Sequence, residues 1–283
     1  MNRFLITGGT GFIGKKVIEN LISNLDSVEI WCTSRNPETH HHESNKFLQF
    51  ISHHEGIKIA ENLPIDAVIH LSTMYRRPRE KFSYRDMLQT NVIEPIQILE
   101  RIVMKNTYFL NVASHLEFVT EKEIETDYYR VTKEFFRVTL ESFSTQYRNL
   151  HRSIILGDTY GPFDTRDKLL NHQIAEAMRG KRLELHNPQG LIRLSNVNSV
   201  ATAIVDSVLG KKQGIVSAVS NFEVSIASLG EFVFKVINTP NAKLEDLELN
   251  FSINQWNSTI ENYPSSENPK QELFTFLNQF NAH

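Results

Sequence analysis

Phe4-Leu5-Ile6-Thr7-Gly8-Gly9-Thr10-Gly11-Phe12-Ile13-Gly14 decides the fold of this 283-residue chain. The apolar run Phe4-Leu5-Ile6 reads as a buried strand of the kind found in parallel sheets. Ile13, Val17, Leu21 and Leu25 then recur every fourth position, the stripe of an amphipathic helix. Between strand and helix, glycines 8, 11 and 14 form a G-x-x-G-x-x-G turn. Such a turn needs backbone conformations that glycine enters cheaply. Missing side chains also let a pyrophosphate approach the amides and the positive end of the helix. The stretch therefore reads as a dinucleotide cradle, with Gly8, Thr10, Gly11, Phe12, Ile13 and Gly14 as its contacts.

Outward from that turn, strands are expected at 3–7, 28–33, 66–72, 108–113 and 153–156, with helices at 92–103 and 127–146 between them. Alternation of this kind argues a doubly wound parallel α/β sheet, the Rossmann architecture. We place a dinucleotide-binding domain at 1–157 and a smaller C-terminal α/β substrate-binding region at 158–283, parts of which can return to the first domain. That region is read with helices at 167–179, 197–209, 226–237 and 269–280, and short strands at 183–185, 191–194, 215–219 and 244–249. The polar, proline-containing stretches 36–46 and 257–269 read as surface loops.

With 40% hydrophobic and 22% charged residues, the composition is that of a soluble globular protein. A net charge of −3 gives no electrostatic reason to expect nucleic acid or an anionic membrane as partner. No apolar run approaches the roughly 20 residues that span a bilayer. Cys32 is the one cysteine, which precludes an intrachain disulfide, and Met1-Asn2-Arg3 runs straight into the first strand. Both point to the cytoplasm. His40-His41-His42 and His53-His54 lack a carboxylate or cysteine at ligand spacing, so they read as solvated loop histidines and no metal site is expected.

Tyr129 and Lys133 stand four apart on the expected helix, so they share a face. A phenol with an ordinary pKa near 10 is a poor acid or base at neutral pH until a nearby cation favours its ionised form. Lys133 is expected to lower the Tyr129 pKa in this way and to hold the nicotinamide ribose. Ser114 closes the strand before them, at the carboxyl edge where ligands bind in open α/β sheets, and its hydroxyl can bond a carbonyl oxygen gaining charge. Asn91 opens the preceding helix and is read as a cap or as part of a proton relay, the relay being favoured. The residue ending the second strand commonly selects the cofactor, an acidic group favouring NAD and an Arg favouring NADP. Here Ser34 and Arg35 stand there, Arg35 lying 21 positions past Gly14 with no carboxylate nearby. NADP(H) is favoured, with NAD(H) possible.

These residues resemble the extended short-chain dehydrogenase/reductases, the family of nucleotide-sugar epimerases, dehydratases and ketoreductases. Thr7–Gly14 is similar to the family's nucleotide motif, and Asp66-Ala-Val-Ile-His70-Leu71-Ser72 to its fourth-strand signature. Asn91-Val92, Ser114, Tyr129 and Lys133 fall in family order, followed by Tyr160-Gly161-Pro162. The resemblance implies that Leu71, Ser72, Thr73 and Leu156 line the cofactor, alongside Tyr129 and Lys133. It also implies that Met74, Tyr75, Asp158 and Arg193 face the substrate, Arg193 at its diphosphate. It further implies a homodimer packed through helices 91–104 and 127–146. Within the family the chain most resembles CDP-abequose synthase-like 4-ketoreductases. The shared features are Val68–Tyr75, Asn91-Val-Ile-Glu-Pro95, Phe109-Leu-Asn111, and an interval of only 15 from Ser114 to Tyr129.

A dehydratase of this family needs an Asp-Glu pair directly after the active-site hydroxyl, whereas Ser114 is followed by His115-Leu116-Glu117. A 3,5-epimerase/reductase uses an active-site cysteine, and Cys32 lies on the second strand. The expectation is NADPH-dependent reduction of the 4-keto group of a CDP- or dTDP-linked deoxyhexose, a step of dideoxyhexose biosynthesis. A nucleotide-sugar 4-epimerase with tightly bound NAD and a non-catalytic NAD(P)-binding protein stand as alternatives.

Overall fold

Phe4, Leu5 and Ile6 are all buried, as a strand covered on both faces requires, and they form the middle of β1 (Asn2–Thr7). The computed structural model describes residues 2–44, 46–75, 83–118, 127–148, 150–220, 222–239, 241–253, 260–263 and 268–281. They divide into two units, Met1–Leu156 with Val200–Ser217, and Gly157–Ser199 with Ala218–His283.

In the first unit β1 is joined by β2 (Val28–Thr33), β3 (Leu48–Ile51), β4 (Ala67–His70), β5 (Tyr108–Ser114) and β6 (His151–Leu156). The order runs β6-β5-β4-β1-β2-β3, with the strand Gly214–Ser217 beside β6, and every pairing is parallel. Read from β3, this is the 3-2-1-4-5-6 order of dinucleotide-binding sheets, whose direction of winding reverses between β1 and β4. The expected doubly wound Rossmann sheet is thus the fold of this unit.

Helices cover both faces. Leu5, Val68 and Phe109 pack with Ala60 of α2 (His53–Asn62). The same cluster takes in Ile98, Leu99 and Ile102 and, from the long helix, Phe136 and Leu140. Tyr84–Leu88 forms α3, Glu94–Ile102 forms α4 and Tyr128–Tyr147 forms α5. On the opposite face α1 (Phe12–Asn24) buries Val17 and Leu21, and Ile18 meets Ile6 and Cys32 around Gly9. Asn20 of α1 donates to the Thr202 hydroxyl at 3.4 Å, so the helix Val197–Leu209 runs beside it.

β3 and α2 are among the elements that the sequence did not lead us to expect, as are α3 and the short strands Asp158–Tyr160 and Phe222–Ser225. Ser52 starts α2 with a capping box: its hydroxyl accepts from the Glu55 N–H, and the Glu55 carboxylate accepts from the Ser52 N–H at 2.8 Å. Lys105 closes the other end, donating to the carbonyls of Ala60 and Glu61, both at 2.6 Å. His53 and His54 therefore lie on a helix, not in a loop. His40 belongs to a short 3-10 segment, Pro37–Glu43, and stacks on Phe50 at 4.9 Å.

The second unit packs three helices, Leu169–Met178, Ile226–Asn238 and Pro269–Leu277, around Leu170, Ile174, Phe232, Val236, Leu273 and Phe276. Ser225 and Asn268 cap two of them. The strand expected at 183–185 is absent, and 244–249 holds a 3-10 turn, Leu244–Asp246, in place of a strand. Of the expected loop at 257–269, positions 257–259 and 264–267 lie outside the described residues. Among the described residues no helix is long and apolar enough to cross a membrane.

Candidate functional site

The glycine turn sits where β1 and β4 part. Gly8 has φ +72°, and a Cβ there would lie 2.6 Å from the Ser72 nitrogen. At Gly14 a Cβ would lie 2.4 Å from the Gly8 carbonyl oxygen. Both contacts are impossible for real side chains, so the turn closes only with glycine. Gly11 stands at the N-cap of α1, which has no side-chain cap, and Thr10, Phe12 and Ile13 surround it half-buried. Across the gap, Leu71 donates to the Thr7 carbonyl at 3.0 Å. The Thr7 hydroxyl accepts from the Ser72 N–H at 3.3 Å and pairs with His70 Nδ1 at 2.7 Å. Backbone with no Cβ, facing an open helix start at the sheet's reversal point, fits a dinucleotide pyrophosphate.

At the end of β2, Ser34 bonds to β3 through its N–H and accepts the Asn36 N–H with its hydroxyl. Arg35 is exposed and makes no hydrogen bond or ion pair with another described residue.

Asn91 lies in a π-helical turn, Gln89–Ile93, and is fully buried. Its Oδ1 accepts from the Met74 N–H at 2.7 Å and the Thr73 hydroxyl at 3.3 Å. Its amide donates to the Met74 carbonyl and to the Thr132 hydroxyl, both at 3.0 Å. Thr132 in turn donates to the Tyr129 carbonyl at 2.8 Å. Asn91 thus clamps the Thr73–Met74 segment against α5, with both ends of its amide committed.

Ser114 ends β5 opposite Leu156 on β6, and Asp127 caps α5 by accepting the Tyr129 N–H at 2.9 Å. These anchors bring Ser114, Thr73 and Tyr129 together, the two hydroxyls close enough to the Tyr129 phenol to favour its ionised form. Tyr75 packs edge-on against the Tyr129 ring at 5.0 Å. Lys133 is buried one turn on and donates to the Val112 carbonyl at 2.6 Å. Burial pushes the Tyr129 phenol up to about 12, and the Ser114 and Thr73 hydroxyls only partly oppose it. The expected lowering by Lys133 is therefore not what this geometry gives, because desolvation dominates and the amine turns to the strand. Burial also holds Lys133 below the usual lysine range.

Glu117 escaped the sequence reading. It lies in a 3-10 turn, His115–Phe118, with its side chain completely shielded. One oxygen accepts the Ser114 N–H at 2.7 Å, and the other accepts Arg137 Nε at 2.9 Å. The available signal was an acid set between Leu116 and Phe118, with a base, Arg137, one turn past Lys133.

Asp158 and Arg193 belong to the second unit. The strand Asp158–Tyr160 pairs in parallel with Leu194–Asn196, placing Asp158 opposite Leu194. Asp158 pairs with Lys168 at 3.6 Å, and Arg193 pairs with the buried Glu223. Both anticipated substrate contacts therefore carry a partner of opposite charge.

The sequence pattern of the NAD dependent epimerase/dehydratase family matches residues 4–205. Among curated proteins the chain is 23% identical over 263 residues to UDP-glucuronic acid decarboxylase 4 of Arabidopsis thaliana, covering 86% of this chain and 59% of that protein. It is 23% identical over 272 residues to human dTDP-D-glucose 4,6-dehydratase, covering 86% and 76%. The chain thus spans about three fifths of the length of the Arabidopsis decarboxylases it matches. The fold is shared with UDP-N-acetylglucosamine 4-epimerase of Methanobrevibacter ruminantium, at TM-score 0.77 and 16% identity over 99% of this chain and 98% of that one. It is also shared with dTDP-glucose 4,6-dehydratase of Bacillus anthracis, solved with NAD, at TM-score 0.72 and 14% identity over 99% and 95%. With its Rossmann sheet and glycine turn inside the matched residues, the chain belongs to the NAD dependent epimerase/dehydratase family.

Proposed function

We propose that this chain is a nicotinamide dinucleotide-dependent oxidoreductase acting on nucleoside-diphosphate sugars, and that it reduces the 4-keto group of a CDP- or dTDP-linked deoxyhexose. The observation that carries this reading is the convergence of the Ser114 and Thr73 hydroxyls on the Tyr129 phenol beside buried Lys133. A keto oxygen seated against Ser114 and Tyr129 meets hydroxyl donors as it gains negative charge. Tyr129 keeps its proton at neutral pH and gives it to the developing alkoxide, a far stronger base. Lys133 offers its cation to the nicotinamide ribose, and the bound nicotinamide supplies the hydride. Arg35, exposed and unengaged by the described residues, would pair with a ribose 2′-phosphate, which favours NADPH.

A dehydratase role is disfavoured because Glu117, the one carboxylate in the segment after Ser114 that the structure describes, is shielded with both oxygens engaged. The curated relatives, a decarboxylase and a dehydratase of nucleotide sugars, support the substrate class. We assign Met74 and Tyr75 to the sugar side. The test offers CDP- and dTDP-linked 4-keto-6-deoxyhexoses with NADPH, follows loss of its absorbance and identifies the product by NMR. Turnover with one of them, abolished by Tyr129→Phe while NADPH still binds, is the expected result. Bound cofactor with no turnover across both series would overturn ketoreduction and favour a 4-epimerase cycle or a non-catalytic binder.

A further inference from the structure

A row of polar side chains crosses the first unit's sheet at one register level. Thr7 on β1 is paired with His70 on β4, His70 with Asn111 on β5, and Asn111 with Ser153 on β6. Register partners in a sheet share a face, so the four side chains stand in line. All are buried, His70 with 2% of its surface exposed and Asn111 and Ser153 with none. The Phe109 and Phe136 rings enclose the imidazole, at 6.3 and 5.2 Å. The row is bonded at both ends. Thr7 Oγ1 pairs with His70 Nδ1 at 2.7 Å, and the Asn111 amide donates to the Ser153 hydroxyl at 3.3 Å.

The middle of the row is different. His70 Nε2 and Asn111 Oδ1 are both buried, and neither has a hydrogen-bond partner among the described residues. Their chemistry is complementary. The Thr7 hydroxyl accepts from the Ser72 N–H at 3.3 Å, so its own proton is free to go to His70 Nδ1. That makes Nδ1 the acceptor and leaves the proton of the neutral ring on Nε2. With Nδ1 turned toward β1, Nε2 is left on the side of β5. Asn111 gives its nitrogen to β6, which leaves Oδ1 for the side of β4. A donor and an acceptor thus stand on paired residues of adjacent strands, yet outside bonding distance of each other. Leaving both bare would carry the full cost of their lost hydration. Buried groups in that position are satisfied by ordered water.

We propose that His70 Nε2 and Asn111 Oδ1 hold an internal water molecule, which accepts from the imidazole N–H and donates to the amide oxygen. One molecule satisfies both groups and makes the row continuous from the glycine turn to β6. The site takes water in preference to a cation, because an N–H donor faces it and a cation needs a lone pair there. On β5 it lies three residues before Ser114, so it braces the strands that carry the cofactor turn and the site above it. The inference needs neither the cofactor nor the reaction proposed above.

A high-resolution crystal structure of the unmutated, substrate-free protein is the direct test. A water at about 2.7–3.2 Å from both atoms is the expected result. A direct contact between Nε2 and Oδ1, or both atoms without any partner, would overturn the proposal. In solution, 17O relaxation dispersion counts long-lived buried waters. Asn111→Leu keeps a side chain of similar size and removes the acceptor, so the variant should hold one such water fewer than the parent. An equal count in the two proteins would also overturn the proposal. If Asn111→Leu does not fold, the crystal structure of the unmutated chain still decides the question.

Discussion

Asn91 and Met74 hold each other reciprocally: the Met74 N–H donates to Asn91 Oδ1 at 2.7 Å, and the Asn91 amide donates back to the Met74 carbonyl at 3.0 Å. The pair joins a π-helical turn to the irregular segment after β4, and Thr132 carries the connection on to α5. Such turns interrupt a helix at a cost and recur at functional sites. The clamp presents Thr73 to Tyr129, so we read Asn91 as a positioning group. Its committed amide favours that role over the proton relay expected from the sequence.

Asn91→Ala leaves the Met74 backbone groups and the Thr132 hydroxyl without their buried partner. Each unsatisfied buried group costs about 1–3 kcal/mol, and water entering the vacated space recovers part of it. The expected loss is about 2–4 kcal/mol in urea unfolding, with a lower midpoint and an unchanged m-value. A loss below about 0.5 kcal/mol, within the range of ordinary surface substitutions, would show that the clamp is not holding this segment.

The sequence made the cofactor side legible because its signals are local. Gly8, Gly11 and Gly14 carry their spacing in one turn, and Tyr129–Lys133 in another. β3 and α2 were missed for want of length: Leu48-Gln49-Phe50-Ile51 is four residues with alternating burial, although Ser52 and Glu55 spell a capping box directly after it. Leu183 and Leu185 alternate like a strand yet find no partner strand. Leu247 and Leu249 are buried by the second unit's core without any pairing. Glu117 was illegible for another reason. Its neutralising partner Arg137 is 20 residues away, and only the packing of α5 on β5 brings them together.

Arg35→Asp should reverse or erase the preference for NADPH. Arg35 is exposed at the end of β2, and a carboxylate there would accept a ribose 2′-hydroxyl and repel a 2′-phosphate. Calorimetric titration of both nucleotides reads this. Tighter NADPH binding to the unmutated chain, by tenfold or more, is expected, and equal affinities would remove the basis for an NADPH enzyme.

α5 also carries an exposed apolar stripe. Val131, Phe135 and Val138 are 46%, 57% and 50% exposed, and their spacing of four and three puts them on one face. Tyr84 of α3, 57% exposed, continues the patch through its edge-on contact with Tyr128 at 4.7 Å. We expect a second copy of the chain to cover this face as a homodimer. Phe135→Glu should then convert a dimer into a monomer in light scattering, while a monomer at micromolar concentration before substitution would refute the assembly.

His70 makes the stability of the first unit pH-dependent. Its ring is enclosed by Phe109 and Phe136, and Nδ1 is paired with the Thr7 hydroxyl. Burial first, then the charges of Lys133 and His53, hold its pKa well below the usual 6.5. A base whose folded pKa is depressed stays neutral in the native state and takes up a proton on unfolding. Stability is therefore intact above about pH 6.5 and falls by about 1.4 kcal/mol for each unit below it, until the folded pKa is reached. His151, also depressed by burial, adds in the same direction, whereas Glu117, raised by burial, opposes both at more acidic pH. His70→Asn keeps an acceptor or donor near Thr7 and has no proton to gain. The difference between parent and variant in urea unfolding, followed from pH 7.5 to 5.5, isolates the His70 contribution of about 1.4 kcal/mol. Parallel curves for the two proteins across that range would mean that His70 is not buried neutral beside the glycine turn.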